Sequence, residues 1–247
     1  MAPLFPFLFL FITVAFGEFV LTRHLHASLT SQLSAFLYVV IDSLLSYWVS
    51  LLFTEVLKTH VGVLRPDFLQ RCDPDTTSFK GAFVPTIGST AVPACRSPPS
   101  AKLTDGHYSF PSGHASASAN FEFYLITYFL WTCFHRRFFV SGDNLEALMA
   151  ASRSGGRAFL RDVGEGLAVL WILFNLGVTW AISATRVTDN RHHVADVVAG
   201  MFLGGTIATV FALRAIPRVR GIMEVAGPGI RKAADDNHDA PPLEAVV

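Results

Sequence analysis

The sequence predicts an all-α membrane protein, a polytopic bundle of helices that cross the bilayer. Of its 247 residues, 51% are hydrophobic and only 15% are charged, whereas soluble domains carry roughly 25% charged residues. The apolar residues, among them 22 Phe, are grouped in long runs. A formal net charge of zero provides no general attraction to nucleic acid. We therefore predict one integral membrane domain over residues 1–232 that binds no nucleic acid, followed by a disordered tail over 233–247.

Five apolar runs approach the ~20 residues that a helix needs to cross the hydrocarbon layer. The first lacks the basic flank and the small-residue cleavage site of a secretory signal, so we expect it to remain as a spanning helix. The last contains Gly200 and Gly204, a small-xxx-small pair typical of close helix packing. The five runs cover residues 3–21, 35–57, 115–134, 167–184 and 197–213.

The segments between the runs predict the topology. Residues 135–165 and the segment after the last run are rich in arginine, which favours the cytoplasmic side. The loop 58–114 and the turn 185–193 then lie together on the opposite, lumenal or extracellular side. In an oxidising compartment Cys72 and Cys95 of that loop would pair. Two free thiols are the alternative, because the sequence does not reveal the distance between them.

The most specific chemical pattern is formed by Arg186, His192 and Asp196. On a helix, His192 and Asp196 would lie about one turn apart on the same face. The carboxylate would hold the imidazole in one tautomer and stabilise the cation formed when the other ring nitrogen attacks. Arg186 adds a planar fork suited to phosphate oxygens. The pattern therefore predicts a histidine nucleophile aimed at a phosphoryl group.

The neighbouring His193 is the weaker candidate for this role. Val197 stands four residues after it and cannot orient an imidazole ring. A zinc site would be the other use for a His-His-Asp cluster, but two adjacent side chains on a helix point about 100° apart. We therefore expect no metal.

Two further groups of residues suit a bound anion. Ser112 and Gly113 precede the third apolar run, where Ser112 is placed to cap a helix and the free backbone amides attract anions. His114 would stand beside the anion and protonate a leaving oxygen; a plain helix cap with a surface histidine is the alternative. Lys58 and Arg65 would clamp phosphate oxygens, unless Lys58 merely snorkels at the membrane boundary.

In this order and spacing, the three groups resemble the signatures of the type 2 phosphatidic acid phosphatase superfamily, which includes lipid phosphate phosphatases and vanadium haloperoxidases. Those signatures are Lys-x6-Arg-Pro, Pro-Ser-Gly-His and Ser-Arg-x5-His-x3-Asp. The chain departs from them only at Thr185, which stands where the serine usually is and keeps the hydroxyl. The resemblance covers residues 58–213, the expected catalytic core. Arg65-Pro66-Asp67-Phe68, with Arg71-Cys72 close behind, looks like the eukaryotic lipid phosphatase branch.

The resemblance implies a vanadium-haloperoxidase-like helical core and a role for each motif residue. His192 would form a phosphohistidine, Asp196 would support it, and His114 would protonate the leaving group. The phosphatases of the family need no metal, so no cofactor is expected. Integral members usually have six spanning helices, three of them before the first signature, where only two are visible here. The phosphate oxygens would be held by Lys58, Arg65, Ser112, Gly113 and Arg186.

We therefore expect an integral membrane enzyme that hydrolyses phosphatidic acid, or a related lipid phosphate or pyrophosphate, without a metal. Its partners would be the lipid substrate and the bilayer. A phosphotransferase or a polyprenyl-diphosphate phosphatase with the same histidine is the alternative. Membrane spans disfavour a haloperoxidase, and the presence of His114, His192 and Asp196 disfavours a pseudo-phosphatase that only binds lipid.

Overall fold

A computed structural model describes residues 4–21, 29–74, 95–132 and 155–225, and the regular elements within these ranges are all helices. The predicted fold class is confirmed. The predicted tail over 233–247 and most of the arginine-rich segment 135–165 lie outside the described residues. The helices are α1 (Leu4–Phe16, continued by a π-helical turn Gly17–Leu21), α2 (Leu29–Val61), α3 (Phe68–Cys72), α4 (Ala101–Asp105), α5 (Gly113–Leu130), α6 (Gly155–Thr188) and α7 (Val194–Val225).

Three helical segments in the described part of the chain are long and apolar enough to cross a membrane. They are Leu29–Val61, Gly166–Thr188 and Val194–Ile222. The apolar helix Pro6–Phe19 is shorter, and α5 has 18 residues but begins with small and polar ones. Each of the five predicted runs is helical over its described part, and the chain is an integral membrane protein.

Helix α5 forms the centre of the bundle and packs against α1, α2, α6 and α7. The first half of α5 consists largely of serine and alanine, which lets α7 come very close to its backbone. A Cβ atom placed on Gly200 or Gly204 would overlap the carbonyl oxygen of Ser112 or Ser116, respectively. The predicted packing role of the two glycines is confirmed. Small residues at such a crossing matter in a bilayer, where no hydrophobic force drives helices together.

Polar contacts inside the bundle fix the register of α2 and α7 against α5. The Asn120 amide donates to the Ser46 hydroxyl (3.0 Å) and to the Gly204 carbonyl (3.2 Å). Nearer the end of α2, the Ser116 hydroxyl lies 2.9 Å from that of Ser50 and accepts from Thr54 (3.1 Å). Buried polar groups need such partners because water cannot reach them. The last of these contacts on α2 is made by Thr54, one turn before Lys58. The contacts thereby place the end of α2 beside the start of α5.

The intramembrane carboxylate Asp42 also joins three helices. It accepts a hydrogen bond from Tyr124 of α5 at 2.9 Å and pairs with Arg214 of α7. One turn further along α5, Tyr128 donates to Glu18. These buried charges are therefore explained by helix packing.

The close crossing of α5 and α7 generates a test with a matched control. Gly204→Ala places a methyl group against the Ser116 backbone, and overpacking of this kind costs about 1–3 kcal/mol. We expect a lower thermal unfolding midpoint for detergent-purified protein. Gly177→Ala on α6 is the control, because a Cβ there has open space around it. Equal midpoints for both variants would contradict the packing described here.

Candidate active site

The loop after α2 is tied together by a disulfide between Cys72 and Cys95, whose Cα atoms are 4.7 Å apart. Backbone bonds flank it: the amide of Ser97 donates to the Cys72 carbonyl at 3.2 Å, and that of Arg96 to the Asp73 carbonyl at 3.1 Å. Of the two alternatives that the sequence leaves open for these cysteines, the structure has the paired one. The disulfide anchors the end of α3, which follows Arg65 by only a few residues.

An ion cluster in this loop holds Arg65. Its guanidinium lies 2.7 Å from Asp105, and its backbone amide donates to the Gly106 carbonyl at 2.8 Å. Asp105 also pairs with Arg71, which in turn binds Asp67 at 2.8 Å. The pKa of Arg65 is lowered, mainly by burial and to a smaller extent by the positive charge of Arg71. The negative charge of Asp105 opposes this shift. The buried Nε–H of Arg65 has no acceptor, so this guanidinium keeps one donor for an anion.

Three predicted residues, Lys58, Ser112 and Gly113, lie at the start of α5. A Cβ atom on Gly113 would lie 3.3 Å from the Lys58 ammonium nitrogen, so this lysine lies beside Gly113 at the start of α5. Lys58 also pairs with Glu55 at 2.6 Å. Ser112 occupies the predicted N-cap position, but its hydroxyl makes no cap hydrogen bond, so the expected side-chain cap is not formed. That hydroxyl is buried and unpartnered, and it is therefore a donor without an acceptor.

His114, in the first turn of α5, is exposed. Its pKa is still lowered below the usual value, first by partial desolvation of the ring among its neighbours and then by the positive charge of Arg186, with smaller effects of His192 and Lys58. Arg186, His192 and Lys58 therefore all lie within electrostatic reach of His114. Arg186, at the end of α6, contacts Asp189 at 3.2 Å and the Thr185 hydroxyl at 3.1 Å.

The turn between α6 and α7 holds His192 in a single orientation. The backbone amides of Arg191 and His192 both donate to the Arg186 carbonyl at 3.1 Å. The His192 side chain is 4% exposed, and its Nδ1 lies 2.7 Å from the carbonyl oxygen of Ser109. A carbonyl only accepts hydrogen bonds, so Nδ1 carries a proton, and in the neutral ring the lone pair is then on Nε2.

Asp196 acts differently from the prediction. Helix α7 begins at Val194, so His192 precedes the helix, and the expectation that it shares a helical face with Asp196 is wrong. The Asp196 carboxylate accepts from the Ser109 hydroxyl at 2.5 Å and from the His193 backbone amide at 2.8 Å, the second contact being half of a capping box. Its nearer oxygen is 3.8 Å from His192 Nδ1, which exceeds a hydrogen bond.

Sequence reasoning missed two residues here. Ser109 joins Asp196 to His192, because its carbonyl accepts a hydrogen bond from the imidazole and its hydroxyl donates one to the carboxylate. His193 also contacts the carboxylate, with its Nδ1 3.2 Å from Asp196. This contact was missed because only a partner four residues after His193 was considered, and Asp196 follows it by three. The His-x-x-Asp spacing of a helix start is the signal that would have revealed the second contact.

Backbone hydrogen bonds connect the segments that carry the predicted residues. The Ser112 amide donates to the Asp196 carbonyl at 2.9 Å, and the Ser109 amide donates to the Val63 carbonyl at 2.9 Å. These two bonds link α5, α7 and the loop that carries Arg65. Arg65 itself contacts Asp105 and Gly106 rather than the other predicted phosphate ligands. Within the described ranges, no three His, Cys, Asp or Glu side chains are grouped as metal ligands, and the metal-free expectation stays a prediction.

Comparisons with known proteins agree with one another. The family model described as PAP2 superfamily matches residues 39–219. The chain is 32% identical to diacylglycerol pyrophosphate phosphatase 1 of Saccharomyces cerevisiae over 71% of its length and 50% of the relative. It is 28% identical to phospholipid phosphatase 2 of Rattus norvegicus over 63% of its length and 45% of the relative. For lipid phosphate phosphatase 2 of Arabidopsis thaliana the identity is 26%, over 73% and 51%.

The chain thus spans about half the length of the curated relatives it matches. No solved structure matches it.

Proposed function

Because the chain belongs to the PAP2 superfamily, we propose that it is a membrane-bound lipid phosphate phosphatase with His192 as its nucleophile. The observation that carries the proposal is the bond from His192 Nδ1 to the Ser109 carbonyl at 2.7 Å. It leaves the lone pair on Nε2 of a buried imidazole, next to a group of cations. An imidazole lone pair near cations suits attack on a phosphoryl group.

The substrate phosphate would be held by donors that have no other partner or that are already fixed in place. The unpaired Ser112 hydroxyl and the unpaired Nε–H of Arg65 are two such donors. The ammonium of Lys58 against Gly113 adds a third, and Arg186 a fourth. Phosphoryl transfer needs little covalent help beyond positioning and charge stabilisation on the equatorial oxygens, and this set of donors supplies both.

The reaction then proceeds in two displacements. Nε2 of His192 forms a bond to phosphorus while the bond to the lipid oxygen breaks, and protonated His114 gives its proton to that oxygen. Water next attacks the phosphohistidine, neutral His114 accepts the water proton, and inorganic phosphate leaves with His192 restored. Splitting the reaction in this way replaces one high barrier with two lower ones.

Asp196 and Ser109 stabilise the positive charge that His192 gains during attack. The carboxylate is 3.8 Å from the ring nitrogen and fully buried, so its charge is weakly screened. The Ser109 carbonyl accepts the Nδ1 proton throughout. Asp196 therefore functions as an electrostatic and positioning group and does not take the proton itself.

Two observations support a lipid phosphate as the substrate. The chain is an integral membrane protein, which suits a substrate that resides in the bilayer. Relatives carry names that specify diacylglycerol pyrophosphate or phospholipid as substrate. Phosphatidic acid and diacylglycerol pyrophosphate are accordingly the substrates to assay first.

The site would face the lumen or the cell exterior. The Cys72–Cys95 disulfide belongs to the same loop as Arg65 and Ser112, and disulfides persist in oxidising compartments rather than in the cytosol. The arginine-rich segments on the other side of the predicted spans favour the same orientation.

Replacement of the nucleophile tests the proposed function. We expect His192→Ala to lower phosphate release from phosphatidic acid at least about 1,000-fold, roughly 4 kcal/mol in the barrier, and the wild type to remain active in EDTA. His60→Ala is the matched control, since His60 also bonds a backbone carbonyl (Val56, 2.7 Å) but is exposed on α2. Appreciable turnover by His192→Ala would remove the nucleophile, and loss of wild-type activity in EDTA would indicate a metal enzyme.

Two substrates with different leaving groups test whether His114 acts as a general acid. Phosphatidic acid releases an alkoxide, which needs a proton, whereas diacylglycerol pyrophosphate releases a phosphate, a much weaker base. We expect His114→Ala to lower kcat/KM about 100-fold or more for phosphatidic acid, and far less for the pyrophosphate. The pKa of His114 is lowered, so the free enzyme loses its imidazolium at a lower pH than an ordinary histidine would. As pH rises through that range, kcat/KM for phosphatidic acid should fall. Equal losses on both substrates would contradict a role as general acid.

A further inference from the structure

An apolar groove opens sideways between α6 and α7. Its volume is about 680 Å³, and nearly all of its wall is apolar. It extends from Val187 and Val194, on either side of the turn that carries His192, down to Val210. Ligand sites commonly have volumes of about 300–1,000 Å³, so the groove is large enough to hold part of a small molecule.

The groove exists because α6 and α7 diverge below the turn that joins them. Both pack mainly on α5 and only slightly on each other. Phe123 of α5 lines the groove and meets Gly205 of α7, where an added Cβ would lie 3.2 Å from the Phe123 ring. Trp180 and Phe202 belong to the two walls, and both are largely exposed. In a bilayer this opening faces the hydrocarbon layer.

The dimensions match one lipid chain. Val194 and Val210 are sixteen residues apart on one helix, which corresponds to about 24 Å at ~1.5 Å per residue. One leaflet contributes about 15 Å of the ~30 Å hydrocarbon thickness. The groove is therefore long enough for an acyl chain that extends from the membrane surface to the middle of the bilayer.

The polar end of the groove coincides with the candidate active site. Val187 directly follows Arg186, Val194 stands two residues after His192, and Val197, which also lines the groove, directly follows Asp196. A molecule with an anionic head at these cations and an apolar tail in the groove would satisfy both surfaces. A free inorganic phosphate or a second protein copy would satisfy only one of them.

We propose that this groove binds a hydrocarbon chain of the lipid phosphate substrate, which enters sideways from the bilayer and is thereby oriented towards His192. This inference rests on the proposed function and adds the binding subsite for the chain. Transfer of a chain from lipid to an apolar groove gains little free energy, because both surroundings are apolar. The groove therefore acts by orientation, and its effect appears in kcat/KM for long-chain substrates.

A variant that fills the groove tests the proposal. Thr206 lines it and is exposed, so Thr206→Trp would block the chain without touching the phosphate donors. The control is Ile41→Trp, at an exposed position of α2 that does not line the groove. We expect Thr206→Trp to lower kcat/KM about 10-fold or more for dioleoyl phosphatidic acid in mixed micelles and less than about twofold for p-nitrophenyl phosphate, since ~1.4 kcal/mol corresponds to tenfold. Ile41→Trp should leave both values unchanged.

A second measurement uses the wild-type protein and needs no variant. A phosphatidic acid analogue with a photoreactive group in its chain should label peptides of α6 and α7, and excess phosphatidic acid should compete with the labelling. Labelling confined to α2, or labelling that does not compete, would overturn the proposal. The proposal would also be overturned if Thr206→Trp altered only the oligomeric state, or lowered the rates for both substrates equally.

The two proposals fail in different ways. If the wild type released no phosphate from any lipid, the proposed function would fail, and the groove would fail as its chain subsite. If the wild type hydrolysed dioleoyl phosphatidic acid and Thr206→Trp kept the same preference for long chains, only the groove proposal would fail.

Discussion

One hydrogen bond organises the candidate active site, the bond between Nδ1 of His192 and the carbonyl of Ser109 at 2.7 Å. It fixes the tautomer of a buried imidazole, because the carbonyl can only accept. Ser109 is itself held by Asp196 through its hydroxyl and by Val63 through its amide. The chemistry proposed for His192 therefore depends on how the loop before α5 is attached to the start of α7.

That attachment depends in turn on close helix packing. The Ser112 amide donates to the Asp196 carbonyl at 2.9 Å, which requires the backbones of α5 and α7 to be nearly in contact. Gly200 and Gly204 permit this distance, since any side chain there would overlap α5. The residues that set the site geometry are thus small ones in the bundle, while the residues with chemistry lie at its end. In lipid, small residues and buried hydrogen bonds are what hold helices at such a distance.

Much of this could be predicted from the sequence. The five helical regions follow from apolar runs, and the candidate residues follow from spacings in which residue type carries the information. The prediction that His192 and Asp196 share a helical face was wrong. The four-residue spacing is compatible with one helical turn, but it does not reveal that the helix begins only after His192. Ser109 was not predictable, since its contact with His192 uses a backbone carbonyl that every residue has. The cysteine pairing required the distance that only the folded loop reveals.

The position of the phosphoryl group on the trapped intermediate tests the central claim most directly. Wild-type protein would be mixed briefly with phosphatidic acid labelled in its phosphate, denatured in base and hydrolysed, and the two phosphohistidine isomers separated against standards. With Nδ1 committed to the Ser109 carbonyl, the label should be on Nε2 of His192, in the peptide that contains the turn between α6 and α7. Phosphate on Nδ1, or on a histidine elsewhere in the chain, would contradict the account.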